Sequence, residues 1–318
     1  MYRYPGFPDQ VYVELTNTCN ARCKICATPG MTRKREVMDF SLFRKIIDEC
    51  GRHRAFRILP FLHGESLLVP NVLDYFRYIR RASPHSHVNL TTNGSKLTGE
   101  ISEAILREDL VDSIILSLDG ADPETYESIR IGLRFSEVRE NFLEFLRLRK
   151  QLGKRNPMLS VAMVIVDQNR QTKAQFAEVW KEADEVRFSF CFNWAGKLDG
   201  NLERSHSRLN FCERMNHYVT ILVDGRVALC CFDSEGEHIV GDVRRQSIRE
   251  VWHSPEFEQL RRQLYERKYD KLRLCDRCDF IRHPAWTAPL VRMRPHIQRR
   301  LPILANFLDS VYKKLMEG

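Results

Sequence analysis

Six short runs of apolar and β-branched residues punctuate the first two hundred positions: VYVEL (11–15), FRILPFL (56–62), HVNLTT (87–92), SIILSL (113–118), LSVAMVIV (159–166) and VRFSFCF (186–192). Between them lie stretches whose apolar residues recur at helical spacing, among them SLFRKIIDEC, NVLDYFRYIRR, ISEAILRE, FSEVRENFLEFLRLRK and QFAEVWKEAD. Strands that alternate with helices predict a parallel sheet with right-handed crossovers. A complete eight-unit barrel takes about 250 residues, so six units in this span predict an α/β fold built on a partial, open (β/α)6 barrel. A doubly wound sheet is the competing architecture. In both, loops at the C-terminal ends of the strands build the site. That is where Cys19 to Cys26, HGES, TTNG, SLDG and NW fall.

The rhythm stops near residue 200. HYVTILVDGRVALCC reads as a hairpin turning at Asp224-Gly225. SIREVW and SPEFEQLRRQLYERK read as short helices, the second capped by Ser254 with Pro255 in its first turn. Three parts are expected: the barrel over 1–200, a small cysteine-bearing unit over 201–289, and a basic amphipathic helix over 290–318. In the last, Ile297, Leu301, Leu304, Leu308, Val311 and Leu315 recur at spacings of four and three. This predicts a face for the core or for a dimer partner, or a weak contact with an anionic membrane surface.

With 318 residues and a net charge of +8, the chain is long enough to bury a substantial core. Its charge is spread thinly except at the C-terminus, and no aromatic-basic interleaving marks a nucleic-acid partner. MYRYPGFPDQ has no signal-peptide core, and no apolar run approaches the roughly 20 residues of a spanning helix. The expected location is cytoplasmic. In a reducing compartment the ten cysteines are expected to be metal ligands more than disulfide partners.

Cys19, Cys23 and Cys26 form a C-x3-C-x2-C array directly after the first strand. Three thiolates can hold three irons of a 4Fe-4S cluster and leave the fourth open to a ligand that is not protein. A structural zinc site, or a cluster with a fourth cysteine from elsewhere, is the alternative. Cys212, Cys230, Cys275 and Cys278 make a second set, C-x17-C followed by C-x2-C. Four such thiols can fully ligate one cluster or one zinc, and a bare set with a terminal C-x2-C favours zinc slightly. Cys50 is expected to be a buried apolar residue, Cys231 to point away from its ligating neighbour, and Cys191 to face either the core or a substrate.

CNARCKIC after a strand, with HGES near residue 63, TTNG near 91 and SLDG near 117, resembles the radical S-adenosylmethionine (SAM) enzymes. Two departures are Ile25, where many members carry an aromatic residue, and HGES in place of the commoner Gly-Gly-Glu-Pro. The resemblance implies that SAM completes the first cluster and yields a 5'-deoxyadenosyl radical. It implies that Gly64 and Glu65 hold the methionine amino group, that Asn93, Ser117 and Asp119 lie around the ribose, and that Arg130 meets the SAM carboxylate. The segment from Cys212 to Arg262 resembles the SPASM extension in its shortened twitch form, which implies one auxiliary 4Fe-4S cluster on Cys212, Cys230, Cys275 and Cys278. A flavodoxin or ferredoxin is the implied reductant.

The layout is similar to that of aminocyclitol dehydrogenases of the butirosin type. It implies oxidation of a secondary alcohol on a small polar substrate such as an aminosugar or aminocyclitol, with the auxiliary cluster taking the electron. Arg187, Asn193 and Trp194 are the expected substrate-facing residues. An epimerase with Cys191 as hydrogen donor is a second reading. Maturation of a ribosomal peptide is a third, set back by the start of the first cysteine array at residue 19, which leaves little room for a leader-binding domain. An iron-sulfur electron carrier or a zinc-stabilised binding module is the non-enzyme alternative.

Overall fold

The computed structural model describes residues 4–200 and 207–283. Its first six strands are β1 (Gln10–Val13), β2 (Arg57–Leu59), β3 (His87–Thr92), β4 (Ser113–Ser117), β5 (Met158–Ile165) and β6 (Glu185–Phe190). They are parallel and lie side by side in chain order. A doubly wound sheet reverses its strand order at a switch point; here there is no reversal, so the open barrel is the fold. The second run is shorter than its apolar pattern, because Pro60 lacks the N–H a ladder needs.

Helices α1 (Phe40–Arg52), α2 (Val72–Ala82), α3 (Gly99–Arg107), α4 (Pro123–Ile129), α5 (Phe135–Gln151) and α6 (Lys173–Val179) fill the crossovers. In α1 the buried residues Phe43, Ile46, Ile47 and Cys50 follow the three-and-four spacing of one helix face. Asp39 caps its N-terminus, accepting from the amides of Ser41 and Leu42 at 2.8 and 3.2 Å. Cys50 is fully buried in this face, an apolar residue in practice.

The cysteine-bearing part adds β7 (Ser207–Arg208), α7 (Glu213–His217), β8 (Tyr218–Ile221), β9 (Arg226–Ala228), β10 (Ile239–Asp242), α8 (Ile248–Trp252), α9 (Pro255–Tyr265), α10 (Arg273–Arg277) and β11 (Arg282–His283). The hairpin β8–β9 turns where expected, with Gly225 at φ +87°. Ser254 caps α9 by accepting from Phe257 N at 3.2 Å. One feature was not legible: β8 pairs in parallel with β1, Gln10 opposite Tyr218 through Val13 opposite Ile221. The hairpin therefore extends the barrel sheet, giving nine strands in the order β10-β9-β8-β1-β2-β3-β4-β5-β6.

No helix among the described residues is long and apolar enough to cross a membrane. The amphipathic helix expected over 290–318 lies outside the described residues.

Candidate active site

Loops from the C-terminal ends of β1 to β4 meet around the first cysteine array. Its loop is pinned from below by Arg22 N and Lys24 N, which donate to the carbonyls of Ile131 and Ile129 at 2.8 and 3.1 Å. From the side, Asn20 donates to Ser95 Oγ at 2.9 Å and accepts from Asn93 Nδ2 at 2.9 Å. The same Nδ2 lies 3.9 Å from Cys19 Sγ. Arg130, at the end of α4, points Nη1 at Cys23 Sγ from 3.6 Å. Thr28 sits 3.2 Å from Cys26 Sγ.

Gly64 lies against this loop so closely that a Cβ would stand 2.3 Å from Thr16 O and 2.7 Å from Thr18 O. Only glycine fits between the β2 loop and the cysteine loop. Glu65 follows it, buried, accepting from Thr92 Oγ1 at 2.8 Å, Asn93 N at 2.7 Å and Leu67 N at 3.1 Å. Burial raises its carboxyl despite these donors.

Asp119 adopts a left-handed backbone, φ +58°, and is fully buried. It pairs with Arg130 through both Nε and Nη2 and accepts from Val164 N at 2.6 Å. Burial pushes its carboxyl up, and Arg130 opposes that. Asp119 and Arg130, expected to reach two ends of SAM, thus hold each other beside Cys23. Ser117 closes β4, half-buried.

The expected substrate-facing residues make the following contacts. Arg187 pairs with Glu185 of the same strand, its Nε 2.7 Å from Oε2. Asn193 spends its amide on the second cysteine loop: Nδ2 donates to Arg277 O at 2.7 Å, and Oδ1 accepts from Asp279 N at 3.3 Å. Trp194 donates from Nε1 to Ile25 O at 3.1 Å, inside the first array. Trp194 and Ala195 both have positive φ, +49° and +55°, a strained backbone held by its surroundings. This turn ties the two cysteine loops together. Cys191, just beyond β6, is buried, and burial first, then Asp279 and Asp119, pushes its thiol up to about 11, so it keeps its proton at neutral pH.

A second tie runs through three residues that sequence reasoning either missed or could not place. Glu14, fully buried just after β1, accepts from Arg33 Nη1 and Nη2 at 2.9 and 2.7 Å, and from Val223 N at 2.9 Å. His63 fills its other side, with Nδ1 2.7 Å from Glu14 Oε1 and Nε2 3.0 Å from Cys231 O. Arg33 Nε donates to Ser234 O at 2.7 Å. The histidine of HGES therefore joins the first cysteine loop to the second. An acid inside the apolar run VYVEL was the available signal.

The two donor sets fit metal centres by their chemistry. Burial pushes the Cys19 thiol up to about 11 and raises Cys23, with the neighbouring thiols adding to it. In the second set burial takes Cys212 to about 11 and Cys278 to about 12, and also raises Cys230 and Cys275, with the neighbouring thiols adding to it. Crowded buried thiols resist ionising together until a cation joins them, so a bound metal favours the thiolate form of such a set. Among the described residues no group of three His, Cys, Asp or Glu side chains is arranged to hold a single ion.

Comparison with known proteins identifies the class. The model of the radical SAM superfamily matches residues 13–179, more than half of the chain, and the chain belongs to that superfamily. Residues 212–279 match SPASM, an iron-sulfur cluster-binding domain. The protein is a radical SAM enzyme with a C-terminal auxiliary iron-sulfur domain. Among curated proteins, the tungsten-containing aldehyde ferredoxin oxidoreductase cofactor-modifying protein of Pyrococcus furiosus is 26% identical over 169 residues, 52% of this chain and 46% of that protein. The chain spans about half the length of the curated relatives it matches. Among solved structures, BtrN in complex with AdoMet and 2-DOIA aligns with a TM-score of 0.61 at 20% identity, over 85% of this chain and 92% of that one. The structure of anSMEcpe with bound AdoMet aligns with a TM-score of 0.62 at 15% identity, over 97% of both. These structures share the fold.

Proposed function

We propose that the chain oxidises a secondary alcohol of a small polar substrate, a sugar or aminocyclitol, as a radical SAM dehydrogenase with two 4Fe-4S clusters, one on Cys19, Cys23 and Cys26 and one on Cys212, Cys230, Cys275 and Cys278. When bound, SAM and the clusters supply a 5'-deoxyadenosyl radical and a one-electron acceptor. Net loss from the substrate is a carbon-bound hydrogen atom, a hydroxyl proton and one electron. In this reading Gly64 brings the β2 loop against the cysteine loop, so that Gly64 and Glu65 hold the methionine amino group. Asn93 and Ser117 line the ribose, Asp119 orients Arg130, and Arg130 meets the SAM carboxylate. A flavodoxin or ferredoxin delivers the initiating electron.

The observation that carries the reading is the double tie between the cysteine loops, through His63 to Cys231 O and through Asn193 and Trp194 to Arg277 O and Ile25 O. A purely structural second metal has no need of such a link to the first. The resemblance in fold to BtrN, solved with AdoMet and 2-DOIA, supports the substrate class.

Cys191 favours a second reading, epimerisation, because its thiol is buried and protonated near the barrel mouth. Anaerobic turnover with SAM, reductant and a panel of aminosugars and aminocyclitols in deuterated water separates the two. Dehydrogenation gives 5'-deoxyadenosine with a product lacking two hydrogens. A product that keeps its hydrogen count and gains solvent deuterium at carbon would replace dehydrogenation by epimerisation. Absence of any product across the panel, with 5'-deoxyadenosine still formed, would remove the substrate class.

A further inference from the structure

Three residues each stand two positions beyond an auxiliary-site cysteine: Arg214 after Cys212, Phe232 after Cys230 and Phe280 after Cys278. The fold closes them on one another. Arg214 projects from the first turn of α7, and its Cζ lies 4.5 Å from the Phe232 ring centroid and 4.3 Å from that of Phe280. The two rings meet edge to face, centroids 5.8 Å apart at 69°. The guanidinium Nη1 donates to Cys231 Sγ, and Nε has no hydrogen-bond partner among the described residues.

Such an aromatic corner shields the half-buried guanidinium from part of the solvent. Guanidinium is the cation that tolerates this best, being delocalised, weakly hydrated and always protonated, and aromatic faces attract it more strongly once desolvated. Tyr12, Tyr218 and Glu213 complete its electrostatic surroundings. Since Arg214 and both rings sit on ligand-bearing segments, the cation is fixed relative to the centre those segments hold.

We propose that Arg214 is the residue that sets the reduction potential of the auxiliary centre, as a fixed, half-buried cation that makes it a better electron acceptor. The proposal rests on the reading that this centre is an iron-sulfur cluster. A reduced cluster carries one more negative charge than an oxidised one, and a cation in a low-dielectric shell favours the more negative state. Charge near the cluster is one of the terms that spreads the potentials of such centres over a wide range. Arg214 is a tuning residue; it touches neither SAM nor substrate in this assignment.

The test is an anaerobic redox titration of the holoenzyme followed by electron paramagnetic resonance, with iron and zinc counted on the same samples. For Arg214→Met and Arg214→Gln the auxiliary potential is expected to fall by at least 59 mV, tenfold in the one-electron equilibrium constant, while the first centre stays put. Arg214→Lys is expected to remain near wild type. A neutral variant at wild-type potential overturns the proposal, as does a lysine variant shifted as far as the neutral ones. Loss of the second cluster from every neutral variant makes Arg214 a cluster-retaining residue and also overturns it. Zinc in place of iron at the second site of the wild type would instead overturn the reading on which the proposal rests.

Discussion

Replacing Arg130 by Met should cost about 3 kcal/mol of folding stability and weaken SAM binding. Asp119, its partner, is fully buried and keeps only the Val164 amide as a donor once the guanidinium is gone. A buried charge that loses its partner is far more costly than an absent pair. Adding Asp119→Asn should recover most of the stability, because asparagine retains an acceptor for Val164 N and tolerates the left-handed backbone at position 119. Denaturant unfolding of the single and double variants, paired with SAM titration, separates two roles. Recovery of stability without recovery of SAM affinity places Arg130 on the cofactor. Recovery of both makes the pair a brace for the cysteine loop alone.

Glu14→Gln should remove about 3 kcal/mol at neutral pH, and the deficit should shrink in acid. Burial works against the Glu14 carboxylate, but hydrogen bonds from His63 and Arg33, with their charges, hold it down to about 2 from an ordinary 4.5. Because the folded value lies below the unfolded one, the contribution is complete above the ordinary range and is lost as pH falls toward 2. The gap between the unfolding free energies of wild type and variant should therefore narrow by roughly half between about pH 6 and about pH 3. A difference independent of pH over that window would show that the carboxylate charge is not what the network uses. Since Glu14 also accepts from Val223 N, the variant should loosen the hairpin where it joins the barrel sheet.

Much of this arrangement was legible because it is local. The six barrel strands follow from β-branched runs between helical stretches, and the cysteine spacings carry their own chemistry. What escaped the sequence depends on contacts between distant segments. Parallel pairing of β8 with β1 joins residues some two hundred positions apart, and nothing in the hairpin's own alternation says which strand it will meet. Asn193 follows a strand at the barrel mouth, but that its amide reaches the second cysteine loop, beside the left-handed backbone at Trp194 and Ala195, is a contact between distant segments that its position in the sequence does not show. The Arg187–Glu185 pair could have been read in advance, since residues two apart on a strand share a face. His63 was visible as a departure from the commoner motif, but its meaning needed Glu14 and Cys231 O in place around it.

The proposed chemistry needs two separate iron-sulfur centres on one chain. Iron, sulfide and zinc should be counted on anaerobically reconstituted protein, wild type against a variant carrying Cys19→Ala, Cys23→Ala and Cys26→Ala together. About eight irons per chain falling to about four is the result predicted for two cubane clusters. About four irons falling to none, with one zinc retained in both proteins, would contradict it and leave the second site purely structural.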